Sequence, residues 1–138
     1  HANTVLSIKG SYGMTAGPMS PTQLPGRVTT SSVCGRGGKT QGYPSRVSEL
    51  ISQLDGPAYI VRRSAYKPAE VRKLRRAIKT AFLTQMAGLG FSMVEVVSNC
   101  PTNWGMTPRE SLKFVEERMV AYYPLGDYKV KDEVRDLK

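Results

Sequence analysis

The chain has 138 residues, a formal net charge of +9 and 40% hydrophobic residues. That length suits one domain able to bury roughly two thirds of its unfolded surface, and the apolar content argues against disorder throughout. No apolar run approaches a membrane span, two cysteines make no disulfide scaffold, and a lone His at position 1 supplies no zinc set. The chain is therefore expected to be soluble, in a reducing cytoplasm. Its positive charge asks for an acidic partner, whether nucleic acid, an acidic protein or an anionic cofactor. His1-Ala2-Asn3 lacks the basic start and apolar core of a signal peptide, and the absence of an initiating Met points to a processed or truncated product.

Taken in order, Thr4 to Ile8 reads as a short buried strand. Residues 10–42 follow, rich in Gly, Ser, Thr and Pro, with neither helical nor strand periodicity; a loop of this length in a compact domain is uncommon and often functional. Its glycines and hydroxyls could cradle an anion, or the segment could be a surface arm; neither GxxxxGK[ST] nor GxGxxG is present.

Pro44 to Leu54 is predicted as a helix burying Val47, Leu50, Ile51 and Leu54. Ala58 to Val61 reads as a second strand, followed by Arg62-Arg63. Pro68 opens the longest helix, to about Ala87, with Gly88 as its stop. Its expected buried stripe is Val71, Leu74, Ile78, Ala81, Phe82 and Gln85 or Met86. Arg72, Arg75, Arg76 and Lys79 fall on the other side, as a grip for an acidic partner or as an ordinary solvated face, the reading favoured from sequence.

Phe91 to Val97 is a nearly unbroken apolar run rich in β-branched residues, the pattern of a strand covered on both faces. It stops at Ser98 to Trp104, and the crevice beyond strand carboxyl ends is where open α/β sheets hold ligands. Thr107 to Glu110 then spells a capping box with Pro at the first helical position. Leu112, Val115 and Met119 form the inner stripe of a helix ending near Tyr122. Tyr123 to Gly126 breaks it, and a charged tail, 127–138, closes the chain. Strands alternating with helices give the expected fold class: α/β, a mostly parallel sheet flanked by helices, in one domain over 1–126.

Several short blocks carry a resemblance. Tyr12-Gly13-Met14-Thr15, Ser20-Pro21-Thr22, Gly42-Tyr43-Pro44, Leu54 to Tyr59, Val94-Glu95-Val96, Cys100 to Gly105 and Tyr123 to Gly126 occur in the order found in one family. Over residues 11–126 the chain resembles the C-terminal half of the β subunit of 2-oxoacid:ferredoxin oxidoreductases. That subunit binds thiamine diphosphate, and the 2-oxoglutarate and branched-chain types fit best. The resemblance implies the C-terminal part of a thiamine-diphosphate-binding fold. It also implies oxidative decarboxylation of a 2-oxoacid to an acyl-CoA, with the cofactor as electron sink. Electrons would pass through a [4Fe–4S] cluster held by cysteine thiolates to ferredoxin, and an α subunit would be a partner.

By the same resemblance, Ser11, Tyr12, Gly13, Met14 and Thr15 lie against the diphosphate and its Mg²⁺, Ser11 offering a backbone carbonyl. Cys100 is the fourth cluster ligand, its three companions lying in the family's N-terminal half. Against that role stands the ordinary fate of a free Cys, a small buried hydrophobe. Cys34 is structural or incidental, and Trp104 is expected to pack under the loop, with direct substrate contact as the alternative. Arg36 and Lys39, in the glycine-rich part of the loop, are candidates to meet coenzyme A or a substrate carboxylate, against the plainer alternative of a solvated loop. Two departures stand out. The family's N-terminal half, with its other cysteines and its Gly-Asp-Gly segment, has no counterpart here. Ile8-Lys9 replaces an Asn-Asn pair, and an ammonium would repel the metal that the second Asn ordinarily ligates. Ala16-Gly17-Pro18 also departs from the family's Gly-Gly-Gln. This chain alone is therefore expected not to hold the cofactor. The alternative is a non-enzymatic basic α/β module that binds an acidic protein or nucleic acid.

Overall fold

The computed structural model describes residues 2–137. Its centre is a four-stranded open sheet in the order β1-β3-β2-β4. β1 (Asn3–Ile8), β2 (Pro57–Ser64) and β3 (Phe91–Val97) run parallel, and β4 (Gly126–Val130) adds antiparallel to the edge of β2. The α/β architecture expected from the alternation of elements is the one observed.

β3 occupies the interior because its side chains suit burial on both faces. Val94 and Val97 are fully buried, and Met93 is nearly so. Alternation along the strand sends Ser92, Val94 and Val96 one way and Met93, Glu95 and Val97 the other. On the first face lies α3 (Pro68–Met86), whose Ala77 and Ala81 pack with Tyr59, Val61, Val94 and Val96. Ser92 Oγ donates to the Ala81 carbonyl at 3.1 Å, tying sheet to helix. On the second face Ile8 and Val97 meet Trp104, Val115, Met119 and Tyr123.

The helix over the first face buries a row rotated from the predicted one, which it keeps at Ala81, fully buried, and at Leu74 and Ile78, half-buried against the core. Glu70, Ala77, Ala81 and Thr84 are its buried residues, whereas Val71, Phe82 and Met86 are exposed. The reason is steric: small side chains let the helix approach the sheet closely, and the larger apolar residues are displaced to the flank. α2 (Val47–Ser52) is likewise shorter than predicted and buries only Ser48, leaving Leu50 and Leu54 exposed.

The helix after Thr107 has the expected capping box, with Thr107 Oγ1 and Glu110 exchanging hydrogen bonds and Pro108 at the first position. It runs as α5 (Pro108–Phe114), passes through a π turn at Val115–Met119 and ends as α6 (Val120–Tyr122). The charged segment after it is built into the fold, as β4 and then α7 (Asp132–Arg135), with Val134 buried.

Residues 10–42 hold one short helix, α1 (Gly38–Gln41), and an isolated bridge between Thr29 and Ser32. The segment is compact because Arg36 organises it. Its Nε donates to the Gly42 carbonyl, one terminal nitrogen to those of Ser20, Pro21 and Gln23, and the other to those of Gln41 and Tyr43. A guanidinium has five N–H donors, so this one is fully engaged by backbone. The expectation that Arg36 meets coenzyme A or a carboxylate is corrected accordingly.

A second arginine pins the sheet. Arg62 lies inside β2 with its side chain fully buried, bonded to Glu95 and Glu49 at 2.5 Å each. Its Nη1 also donates to Tyr128 Oη and the Pro124 carbonyl. Burial works against the charged guanidinium, but the hydrogen bonds and charges of Glu49 and Glu95 outweigh it and raise its pKa. The Tyr123 ring lies 5.2 Å from the same guanidinium, and its hydroxyl donates to the Thr22 carbonyl at 2.9 Å. This phenol couples the sheet to the long loop.

Candidate functional site

Because β1 and β3 are parallel neighbours, with Ile8 opposite Val97, their carboxyl ends open on the same rim. The segments leaving them, Lys9 to Thr15 and Ser98 to Trp104, therefore meet. The Gly13 N–H donates to Cys100 Sγ at 3.4 Å, and Asn103 Nδ2 donates to Ser11 Oγ at 2.5 Å. Ser7 and Ser98 hydroxyls bond at 3.0 Å just below.

Each side of this contact is shaped by its own backbone. Cys100 precedes the short helix α4 (Pro101–Trp104), which Gly105 ends with a left-handed φ of +61°. On the facing loop the Gly17 N–H donates back to the Tyr12 carbonyl, closing a turn over Gly13 to Ala16. Gly17 has φ +66°, and a Cβ there would stand 2.0 Å from Asn103 Oδ1. Only glycine fits that approach.

Ser11 is fully buried and engages Asn103 through its hydroxyl, whereas Tyr12, Met14 and Thr15 are exposed. Tyr12 Oη donates to the Ser7 carbonyl, and Thr15 Oγ1 to that of Tyr12. Lys9 Nζ lies 5.7 Å from the Tyr12 ring centroid.

Trp104 packs under the loop, as expected. It is buried, meets Phe114 edge-on at 5.0 Å, and carries the Arg27 guanidinium 4.7 Å above its ring. Arg27 also lies 4.9 Å from Phe114. Burial holds its pKa below the ordinary arginine range, with the nearby Cys100 acting in the opposite sense. Arg27, Asn103 and Gly17 were not singled out from sequence. Asn103 sits inside the Cys100 to Gly105 block, while Arg27 is one cation in an irregular loop and carries no signal.

The donor set can be tested against the groups that the resemblance implies. A [4Fe–4S] centre takes thiolates, but the chain has two cysteines, of which Cys34 is exposed and both are free. Among the described residues no three His, Cys, Asp or Glu side chains are placed to hold a metal. Neither a cluster nor a Mg²⁺ site fits this chain's own side chains. The Lys9 ammonium stands beside the turn at Tyr12 to Thr15, whose Gly13 N–H and Tyr12 and Thr15 hydroxyls already donate within the chain. Lys39, in α1, is exposed and stands in none of these contacts.

No protein-family model and no solved structure matches the chain. Curated proteins do. The chain is 40% identical over 118 residues to the ketoisovalerate oxidoreductase subunit VorA of Methanothermobacter thermautotrophicus, covering 86% of this chain and 25% of that protein. It is 35% identical over 106 residues to the 2-oxoglutarate synthase subunit KorB of Archaeoglobus fulgidus, covering 77% of this chain and 35% of the relative. With the KorB subunit of Methanothermobacter marburgensis the figures are 34% over 123 residues, 85% and 39%. The chain thus spans between a quarter and about two-fifths of the relatives it matches. Over most of its length it is a homologue of part of a subunit of the 2-oxoacid:ferredoxin oxidoreductases.

Proposed function

We propose that the chain is the C-terminal part of a 2-oxoacid:ferredoxin oxidoreductase β subunit, and that it is incompetent by itself. The reaction is oxidative decarboxylation of a 2-oxoacid to an acyl-CoA, with ferredoxin as electron acceptor and an α subunit as partner. The observation that carries this reading is the meeting of the Ser11–Gly13 turn with the Cys100–Asn103 tip on one rim of the sheet. Thiamine diphosphate, when bound, supplies the electron sink that decarboxylation of a 2-oxoacid needs. In the completed subunit the chain's own residues would position the cofactor: the Lys9 ammonium, beside the Tyr12 to Thr15 turn, would offer positive charge to the diphosphate. Asn103 holds Ser11, and the Gly13 N–H holds the Cys100 sulfur.

In the completed subunit Cys100 and the Ser11 carbonyl would each supply one ligand, to the cluster and to Mg²⁺, and the remaining ligands would come from the rest of that subunit. Calorimetry with thiamine diphosphate and Mg²⁺ tests this, using the chain alone and the chain joined to the remaining sequence of a KorB-type subunit. No heat from the chain alone and saturable binding by the completed subunit is the expected result. Binding by the chain alone overturns its incompetence, and none by a folded completed subunit overturns the assignment.

A further inference from the structure

α3 carries five basic side chains and one acidic one. The acid, Glu70, is paired with Lys73 at 2.8 Å. Arg72, Arg75, Arg76 and Lys79 remain, all exposed and without an ion pair among the described residues. Together they frame a shallow cup of about 380 Å³. Spaced three and four apart, they repel one another and weaken the helix by about 0.2–0.5 kcal/mol per pair. A helix face that only meets water usually mixes the two signs.

Beside this row lies a second anomaly. Val71, Phe82 and Met86 are 46%, 54% and 81% exposed. At about 100° per residue their stripe adjoins the cationic one, with Arg75 between them. Lys73, Arg76 and Thr80, on the opposite flank, border Gly126 and Asp127 at the start of β4, so the apolar flank faces the β1 side. There Val5, on the same face of the sheet, is 50% exposed. Repelling cations and bare apolar side chains are both unfavourable in water, and one partner can relieve both. Arg, Met and Phe are also the residue types enriched in protein interfaces.

We propose that this face of α3 docks an acidic protein surface that also presents apolar side chains. The apolar flank favours protein over nucleic acid, whose phosphates would use the cationic row and whose bases could stack on Phe82 but would leave the aliphatic Val71 and Met86 uncovered. The face lies across the sheet from the Trp104 cluster, so the inference stands apart from the reading of the Cys100 rim.

Fluorescence anisotropy of the full chain tests it, with a labelled helical peptide of about 20 residues bearing a Glu stripe beside a Leu stripe. Binding at low salt that weakens as salt rises is expected. Arg72→Glu/Arg76→Glu should raise Kd at least about tenfold, and Phe82→Ser several-fold. Arg109→Glu/Arg118→Glu, an equal charge change elsewhere, should leave Kd unchanged. All these positions are exposed, and circular dichroism checks that the variants fold. Absence of peptide binding overturns the proposal. So does an equal loss in the control variant, or tighter binding of a single-stranded DNA of about 20 nucleotides than of the peptide, whether or not Phe82→Ser weakens it.

Discussion

Asn103 reaches across the rim to Ser11, donating its amide to the buried hydroxyl at 2.5 Å although 92 positions separate them in sequence. Gly17 keeps that approach open, since any Cβ there would collide with the Asn103 amide. Gly17→Ala should therefore destabilise the chain by about 1–3 kcal/mol, from the clash and the positive φ together. It should also part the loop from the Cys100 tip. Urea unfolding reads the first effect and the rate of Cys100 alkylation the second. An unchanged alkylation rate in a destabilised variant would mean that the two tips are held together by other contacts.

Arg36 is expected to behave as the core of a segment that has almost no apolar core of its own. Arg36→Met removes donors from six carbonyls, and Arg36→Lys offers one ammonium where a planar fork is needed. Both should open residues 10–42 locally while the sheet stays folded. Hydrogen exchange checks this: amides such as those of Gly26 and Ser45 should lose protection, and those of β3 should keep it. The stability loss should be about 2–4 kcal/mol, several charge-assisted bonds being lost together.

The parts of this fold visible in the sequence are those where chemistry and period agree. Phe91 to Val97 could hardly be anything but a covered strand, and Pro68 and Gly88 fix the ends of α3. The buried row of that helix was legible only in part, at Leu74, Ile78 and Ala81. Hydropathy favours Val71 and Phe82, but contact with a sheet rewards small Ala77 and Ala81, and Glu70 and Thr84 share their side. β4 was hidden because an edge strand with one face toward water has no apolar run to reveal it. In the sequence Arg62 reads as lying just past a strand ending at Val61, whereas β2 runs on to Ser64; Glu95 in the middle of an apolar run was a clue that a buried cation must face it. On the rim, the Cys100 to Gly105 block was visible as a unit, whereas the Arg27 stack on Trp104 depends on how an irregular loop folds.

The Arg62–Glu95 pair sets a sharp test. Both side chains are fully buried, and Glu95 Oε1 has no hydrogen-bond partner among the described residues. Arg62→Met strands a buried carboxylate and should cost about 3–5 kcal/mol. Arg62→Met/Glu95→Met removes both charges and should recover more than half of that loss, Glu49 being free to turn toward water. Urea midpoints of the two single variants and the double give the coupling. A double variant as unstable as the sum of the singles would show that the pair's partners, and not the pair, hold the region.

Stability toward acid follows from two carboxylates. Burial pushes the Glu49 carboxyl upward, but the Arg62 guanidinium outweighs it and holds the net pKa below the usual glutamate range. Glu110 is held below that range by the Thr107 hydroxyl and backbone N–H of the capping box. A carboxyl depressed in the folded state contributes stability that is present above its unfolded pKa, about 4.3 for glutamate, and is lost as pH falls through the folded value. The urea midpoint should therefore hold steady between about pH 7 and pH 5 as far as these groups act, then fall below about pH 4.3. Glu49→Gln should lower the midpoint at neutral pH and flatten the acid limb, because the lost ion pair no longer titrates. An acid limb as steep in Glu49→Gln as in the parent would assign the acid sensitivity to other carboxylates and leave the Arg62–Glu49 bond with no part in it.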